Sequence, residues 1–247
     1  MSRTERIKRM ELLSDLGIRM DGRRPNEVRK IACKMGVSDG ADGSAYFVQG
    51  NSQVLVTVYG PHEVTGRSRP LSDKAVINCQ YRIAPFSGRA RKAISHSDRK
   101  LQEQTVILRQ AFEAAILTNL FPKSQIDISF LVLYQDGGIC STCINAGTLA
   151  LINAAIPMKD YLCACSVGFV KETPLMDATH FESLFGRTEL NLAILSKSEE
   201  IVCDEITARL HKDHMKKIRR LAIKGCKDMH AVLDSAVRKH VAQTRHS

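Results

Sequence analysis

The chain changes from an extended to a helical pattern within Gln135-Asp136-Gly137-Gly138-Ile139-Cys140-Ser141-Thr142-Cys143. An apolar run at 126–133 predicts a strand before this stretch, and small residues at about 146–154 predict a helix after it. A Gly-Gly turn at a helix N-terminus is a natural anion site, because free backbone N–H groups and the helix dipole both favour negative charge. A phosphate-using enzyme often adds a cation there, yet Ile139 and Cys140 are uncharged. The turn therefore resembles a phosphate site whose charged residue is missing.

The composition is that of an ordinary soluble globular protein with an excess of positive charge. Of the 247 residues, 25% are charged and 44% are hydrophobic, and the formal net charge is +10. This excess favours a polyanionic partner such as RNA, DNA or an acidic protein, although a protein can also be merely basic. Because no apolar run reaches the roughly 18 residues typical of a membrane span, we expect no membrane partner.

The eight cysteines predict a reducing compartment. Most of them lie inside apolar runs, which is typical of buried, reduced thiols, and the charged first residues lack the apolar core of a signal peptide. Cys140 and Cys143 form a lone CxxC at a helix start, where a redox role would need a lowered thiol pKa. Two small packing residues are the simpler interpretation. His211 and His214 are typical of a solvated helix start, so we predict no metal site and no cofactor.

The remaining patterns predict a mixed α/β (α+β) fold with a β-rich N-terminal half. Period-two alternation and turn residues predict a hairpin in that half, and apolar runs predict further strands. The predicted strands are 44–49, 53–59, 75–81, 162–170, 189–196 and 201–206. Helical spacing of apolar residues predicts helices at about 98–119 and 211–240, the second packed on a sheet.

Basic residues in two loops and at one helix start are candidates for RNA contact. Single-stranded nucleic acid is held largely through its phosphates by lysine and arginine. The segment 89–97 carries three cations and no acid, which favours RNA contact over a merely solvated charged surface. The candidates are Arg67, Arg69, Arg89, Arg91, Lys92, Arg99 and Lys100.

A sparse acidic group could also converge on the Gly-Gly turn. It consists of Asp177, Glu182 and Glu189, with Asp136 beside the turn. Paired carboxylates can hold a divalent ion or act as general acid and base. From the residues alone, ordinary surface acids are the favoured interpretation.

Ordered motifs from about residue 12 to 240 resemble those of RNase PH-type proteins. They are Asp21-Gly22-Arg23-Arg24-Pro25, Ala41-Asp42-Gly43-Ser44-Ala45, Tyr59-Gly60-Pro61-His62-Glu63, Gln125-Ile126-Asp127-Ile128, Gln135-Asp136-Gly137-Gly138 and Ile156-Pro157-Met158-Lys159-Asp160. Two further segments, at 163–170 and 208–214, are similar to those of core subunits of the eukaryotic RNA exosome. The mixed, basic composition of residues 1–15 predicts an N-terminal arm, and the resemblance implies a single RNase PH-like domain at 16–241, followed by a tail at 242–247.

The resemblance also implies a degenerate catalytic site. Active relatives carry a phosphate-binding arginine just after the Gly-rich turn, and the matching position here is Cys140. Another phosphate- or RNA-contacting arginine of the family matches Arg99. The family's acids match Asp177, then the pair Glu182-Ser183, in which an aspartate is replaced by Ser183, and then Glu189. Because a thiol cannot replace a guanidinium at a dianion, the resemblance implies loss of phosphorolysis.

The leading hypothesis is a non-catalytic ring subunit of the RNA exosome. The resemblance implies other RNase PH-type subunits in a hetero-hexameric ring, RNA-binding cap subunits, a hydrolytic exoribonuclease and single-stranded RNA as partners. It also implies a location in nucleus, nucleolus and cytoplasm, with roles in rRNA processing and RNA degradation. The alternatives are an active phosphate-dependent 3′-to-5′ exoribonuclease and a free basic RNA-binding protein.

Overall fold

The computed structural model describes residues 13–14, 17–64, 73–88, 91, 98–170, 173–186 and 188–244. This part of the chain forms nine strands and four α-helices. The strands are β1 (Ile31–Met35), β2 (Gly43–Gln49), β3 (Ser52–Glu63), β4 (Val76–Ile83), β5 (Ser124–Tyr134), β6 (Leu162–Val170), β7 (Thr173–Met176), β8 (Thr188–Leu195) and β9 (Ile201–Ile206). The helices are α1 (Arg99–Ala115), α2 (Ile139–Asn153), α3 (His180–Gly186) and α4 (Lys212–Thr244).

The first sheet has five strands in the order β1-β2-β3-β5-β4. Its β2–β3 hairpin turns at Gly50-Asn51, and Gln49 pairs with Ser52, which confirms the predicted hairpin. Along β3, Val54, Val56 and Val58 are fully buried while the residues between them are not, as expected for a strand with one face on a core. Strand β4 pairs in parallel with β5, and α1 forms the connection between them. The β-rich N-terminal half is therefore confirmed.

The second sheet has four antiparallel strands in the order β7-β6-β8-β9. Helix α4 packs on β6 and β8 through a stripe of buried residues, which confirms the predicted C-terminal helix on a sheet. The stripe consists of Ile218, Ala222, Gly225, Cys226, Met229 and Leu233. Gly225 is required by close approach, because a Cβ there would lie 2.5 Å from Cys165 Sγ on β6.

Helix α2 lies between the two sheets and is buried on all sides. Of its 15 residues, 13 are buried, and it contacts β2 and β3 in the first sheet and β6 in the second. Its polar side chains are satisfied there: Asn145 Nδ2 donates to the carbonyl of Ala164 at 2.9 Å, and Thr148 Oγ1 donates to that of Leu162 at 2.7 Å. Small residues make this close packing possible, since a Cβ on Gly147 would lie 2.4 Å from the ring of Phe112.

Several predicted boundaries are wrong. Helix α2 begins at Ile139, directly after the turn and not at about residue 146, because it is buried on all sides and its sequence therefore shows no helical period that would mark its start. Helix α1 ends at Ala115, since Ile116 is extended and forms a bridge with Met158. Helix α4 extends to Thr244, and strand β7 and helix α3 were not predicted. No helix in the described ranges is long and apolar enough to cross a membrane.

Candidate functional site

The Gly-Gly turn is held by left-handed backbone and by close contacts that exclude side chains. Gly137 and Gly138 have φ values of +81° and +60°, which glycine adopts without strain. A Cβ on Gly137 would lie 2.5 Å from the carbonyl oxygen of Ala178, and one on Gly138 would lie 2.6 Å from Ser166 Oγ. Gly138 is the N-cap of α2, so the predicted strand–turn–helix unit is confirmed.

A cleft of about 630 Å³ lies beside this turn. The end of β4, the first turns of α1 and α2, helix α3 and strands β8 and β9 enclose it. Among the described residues, its ionisable lining of Asp, Glu, Lys, Arg and His side chains is Glu103, Glu189, Glu205, Lys100 and His180. Among these described side chains, carboxyl groups outnumber lysine and arginine, which disfavours the binding of a phosphate dianion at the turn.

Cys140 stands in this cleft as a neutral side chain. It is 6% exposed, and burial raises the pKa of its thiol well above the usual value, with Cys143 and Glu205 adding to the effect. Burial also raises the pKa of Cys143. Neither thiol is activated by the helix start, and all eight cysteines are unpaired. This favours the packing interpretation of the CxxC over a redox role.

Glu189 places a carboxylate next to the turn. Burial raises its pKa, and the nearby Glu205 raises it further, while the backbone N–H of Gly138 and the Ser183 hydroxyl beside it partly oppose the shift. The Ser183 hydroxyl lies beside the same carboxylate, although its buried oxygen makes no hydrogen bond of ordinary geometry within the described residues. Glu189 therefore brings a carboxyl group to the cleft beside the turn, where an incoming anion would have to bind.

Asp177 is linked to the turn through Arg29 and is not among the described residues that line the cleft. Its side chain is completely buried, and Arg29 Nε and Nη2 donate to its two carboxylate oxygens at 2.9 and 2.7 Å. The same guanidinium donates to the carbonyls of Asp136 and Gly137 at 2.7 and 3.2 Å. Burial alone would raise the pKa of Asp177, but the hydrogen bonds and charge of Arg29 lower it below its usual value. The pair thus positions the backbone of the turn.

Glu182 is likewise occupied by a buried arginine. It accepts hydrogen bonds from both Nε and Nη2 of Arg19, the first at 2.8 Å, and from the backbone N–H of Thr179 at 2.9 Å. Arg19 also donates to the carbonyls of Met176 and Asp177 at 2.6 and 3.0 Å. Burial would raise the pKa of Glu182, but its hydrogen bonds, chiefly from Arg19, lower it. The contact between Arg19 and Glu182 therefore holds the segment around residue 19 against helix α3. Glu182 is not among the described residues that line the cleft.

The predicted RNA-contacting residues are only partly within the described ranges. Asp98 caps α1 by accepting from the backbone N–H of Lys100 at 3.1 Å, which places Arg99 and Lys100 in its first turn. Arg91, Arg99 and Lys100 are exposed, and Lys100 alone of these lines the cleft. Four of the predicted residues lie outside the described ones: Arg67, Arg69, Arg89 and Lys92.

The sequence did not reveal the buried partners of the site. Arg19 and Arg29 are 2% and 8% exposed, whereas arginines are mostly found at the surface, so no local pattern marks them. Glu205 is on the predicted strand β9, but its approach to Glu189 depends on strand pairing. In the described part of the chain, no three His, Cys, Asp or Glu side chains come together in a way that could hold a metal ion.

Comparison with known proteins supports the resemblance found in the motifs. Residues 27–157 match the profile of the 3′ exoribonuclease family, domain 1, and residues 160–225 match that of domain 2. The chain is 52% identical over 235 residues to the exosome complex component RRP41 of Homo sapiens and to that of Bos taurus, covering 95% of this chain and 96% of each relative. It is 37% identical to Rrp41 of Thermococcus kodakarensis over 92% of this chain and 90% of that relative.

Solved structures share the fold at lower sequence identity. A crystal structure of rice Rrp46 superposes with a TM-score of 0.81 at 21% identity, covering 89% of this chain and all of that one. A subunit of the Archaeoglobus fulgidus exosome with RNA bound to the active site gives a TM-score of 0.75 at 20% identity, covering 87% of this chain and 92% of that one. These similarities establish the RNase PH-like fold of the described residues.

Proposed function

The chain belongs to the RNase PH family of 3′ exoribonucleases, and we propose that it is a non-catalytic ring subunit of the RNA exosome, a counterpart of RRP41. The near-complete overlap with the mammalian RRP41 chains supports this assignment. Its partners would be other RNase PH-type subunits in a hetero-hexameric ring, RNA-binding cap subunits and a hydrolytic exoribonuclease. We further propose that the complex works in the nucleus, nucleolus and cytoplasm.

The observation that carries the loss of catalysis is the neutral, buried Cys140 at the anion turn. Phosphorolysis needs inorganic phosphate held in line with the scissile bond, so the site must stabilise a dianion. A missing charged donor at such a position typically costs about 3–4 kcal/mol of transition-state stabilisation. Here the described lining of the same cleft also carries the carboxyl groups of Glu189 and Glu205. The properties of this cleft therefore support the proposal that the chain has kept the family fold but does not catalyse phosphorolysis.

The basic residues would then serve to guide RNA rather than to cleave it. Arg91 is exposed, as are Arg99 and Lys100 in the first turn of α1, and Lys100 also lines the cleft. Exposed lysine and arginine side chains of this kind hold the RNA backbone through its phosphates without reading its sequence. We propose that they line a path for single-stranded RNA, together with Arg67, Arg69, Arg89 and Lys92.

The decisive experiment is native mass spectrometry of the protein isolated by affinity from its own cells, followed by an RNA degradation assay with and without inorganic phosphate. We expect a hetero-oligomeric ring that contains other RNase PH-type chains and releases no nucleoside diphosphates from its ring subunits. A homo-oligomer that releases nucleoside diphosphates only with phosphate would instead establish an active phosphorolytic enzyme. A stable monomer that binds RNA tightly would establish a free RNA-binding protein.

The RNA path is tested separately in the assembled ring. Changing Arg91 and Lys100 to glutamate should shorten the RNA footprint and weaken RNA binding with a reduced dependence on salt. The matched control changes Lys216 and Lys224, which are exposed on α4, to glutamate and so alters the net charge equally. Equal footprints in both variants would contradict the proposed path.

A further inference from the structure

A second groove lies between strand β1 and the C-terminal half of α4, away from the residues that line the cleft at the turn. Its volume is about 630 Å³. All five residues of β1 line it on one side, and one face of the last turns of α4 lines it on the other. The helix contributes Ala231, Val232, Ser235, Ala236, Lys239, His240 and Gln243.

Strand β1 offers this groove an open edge of the first sheet. It stands at the end of the strand order and pairs only with β2 in the described part of the chain. An edge strand presents N–H and C=O groups at every second residue, and an extended peptide can pair with them as an added strand. Small and apolar side chains, such as those of Ile31, Ala32 and Ala236, leave room for the side chains of such a peptide.

The positive charge of the groove favours an acidic occupant. Its ionisable side chains are Lys34, Lys239 and His240, and no acidic residue is among the described residues that line it. Lys34 and Lys239 are exposed, so both ammonium groups are available to a partner. The described lining contains no Phe, Tyr or Trp on which RNA bases could stack. Edge-to-edge pairing with a second copy would bring two basic strands together, which like-charge repulsion disfavours.

We propose that this groove binds an extended, acidic segment of a partner protein, which adds to the first sheet as a further strand beside β1. Backbone hydrogen bonds along the β1 edge supply the pairing, and Lys34 and Lys239 select carboxylates on the added strand. This inference does not depend on the proposed RNA function, because it concerns a different surface and a different ligand.

The test uses the full chain and a fluorescein-labelled, seven-residue peptide in which glutamate and valine alternate, followed by fluorescence anisotropy. The double variant Lys34→Glu/Lys239→Glu should weaken binding by about tenfold or more, because both favourable charges become repulsive. The double variant Lys216→Glu/Lys224→Glu changes the net charge equally on exposed positions of α4 outside the groove, and it should bind as the unchanged chain does. Thermal unfolding of all three proteins verifies that each is folded.

The strand geometry is tested with two further peptides, one N-methylated at every valine and one at every glutamate. An added strand directs alternate N–H groups toward its neighbour, so only one of the two peptides should lose binding. The proposal is overturned if the parent peptide fails to bind at about 1 mM, which corresponds to an interaction weaker than about 4 kcal/mol. Equal weakening in both double variants, equal binding of both methylated peptides, or displacement by a uridine oligomer would also overturn it.

Discussion

The pair formed by Arg29 and Asp177 gives the sharpest test of how the Gly-Gly turn is held. Replacing Arg29 with methionine keeps much of the side-chain length and the backbone N–H that donates to Asp177 Oδ2 at 2.9 Å, but it removes both guanidinium hydrogen bonds to the carboxylate. It also removes the donors to the carbonyls of Asp136 and Gly137, at 2.7 and 3.2 Å. The Asp177 carboxylate is completely buried, so it would lose its closest charged partner in a place that water does not reach, while Arg23 Nη1 would remain 3.8 Å from Oδ2.

The expected cost of Arg29→Met follows from this burial. Removing one member of a buried ion pair typically destabilises a protein by about 3–5 kcal/mol, because an uncompensated charge remains, and since Arg23 stays near Asp177 we expect the lower end of this range. A matched control is Arg219→Met, since Arg219 pairs with Asp204 while its side chain is 45% exposed. That change should cost no more than about 1 kcal/mol, as is usual for surface ion pairs.

The pH dependence provides a second, independent readout. In the unchanged chain the folded-state pKa of Asp177 is lowered. The stability that the pair contributes is therefore fully present at pH values above the ordinary carboxyl pKa, and it is lost as the pH falls through the lowered, folded-state pKa. In Arg29→Met, burial without the guanidinium raises the folded-state pKa, so protonation relieves the buried charge. The difference in the free energy of unfolding should therefore shrink as pH falls from about 7 to about 4.

Urea denaturation followed by circular dichroism, repeated across this pH range, measures both effects. Two results would refute the reasoning. One is a loss below about 1 kcal/mol for Arg29→Met at neutral pH, which would place the pair among ordinary surface contacts. The other is a difference that stays constant with pH, which would mean that lost packing, and not the unpaired carboxylate, causes the destabilisation.

Three further predictions concern the turn, the N-cap of α1 and the first turn of α2. Gly137→Ala should destabilise the chain strongly, because its Cβ would lie 2.5 Å from the Ala178 carbonyl oxygen at φ +81°, whereas Gly40→Ala, with nothing within 4 Å, should be nearly neutral in thermal unfolding. Asp98→Ala should lower the free energy of unfolding by about 1 kcal/mol in urea denaturation, because the α1 N-cap is lost. Asp98→Asn should keep most of that stability, since asparagine is also a good N-cap residue. Cys140 should resist iodoacetamide at pH 8 and react only on unfolding, since burial raises the pKa of its thiol; rapid alkylation of the native chain, seen by peptide mass mapping, would contradict this.

The sequence predicted those elements whose periodicity follows burial on one side. Alternation along β3 and the apolar stripe of α4 each mark one face toward a core, so both elements were found. The start of α2 was misplaced because a helix buried on all sides has no polar face and therefore no helical period. Strand β7 and helix α3 are short and gain their positions from pairing with β6 and from the Arg19–Glu182 contact, which only the fold brings together.

The candidate site was predicted in part. The neutral Cys140 beside the Gly-Gly turn, and Glu189 and Ser183 near it, could be recognised from motif order and do line the cleft. The roles of Asp177 and Glu182 could not, because each depends on an arginine more than 140 residues earlier in the chain. Sequence shows that acids are present, but only long-range contacts show which of them are already paired.

The burial of α2 between the two sheets has a consequence for how the chain unfolds. Neither sheet can leave the helix without exposing a largely apolar surface to water, including the fully buried Ile144 and Leu149. The segments 27–157 and 160–225, which match separate family profiles, therefore share one core. We expect them to melt together, so that a single calorimetric transition with equal van't Hoff and measured enthalpies describes the whole chain.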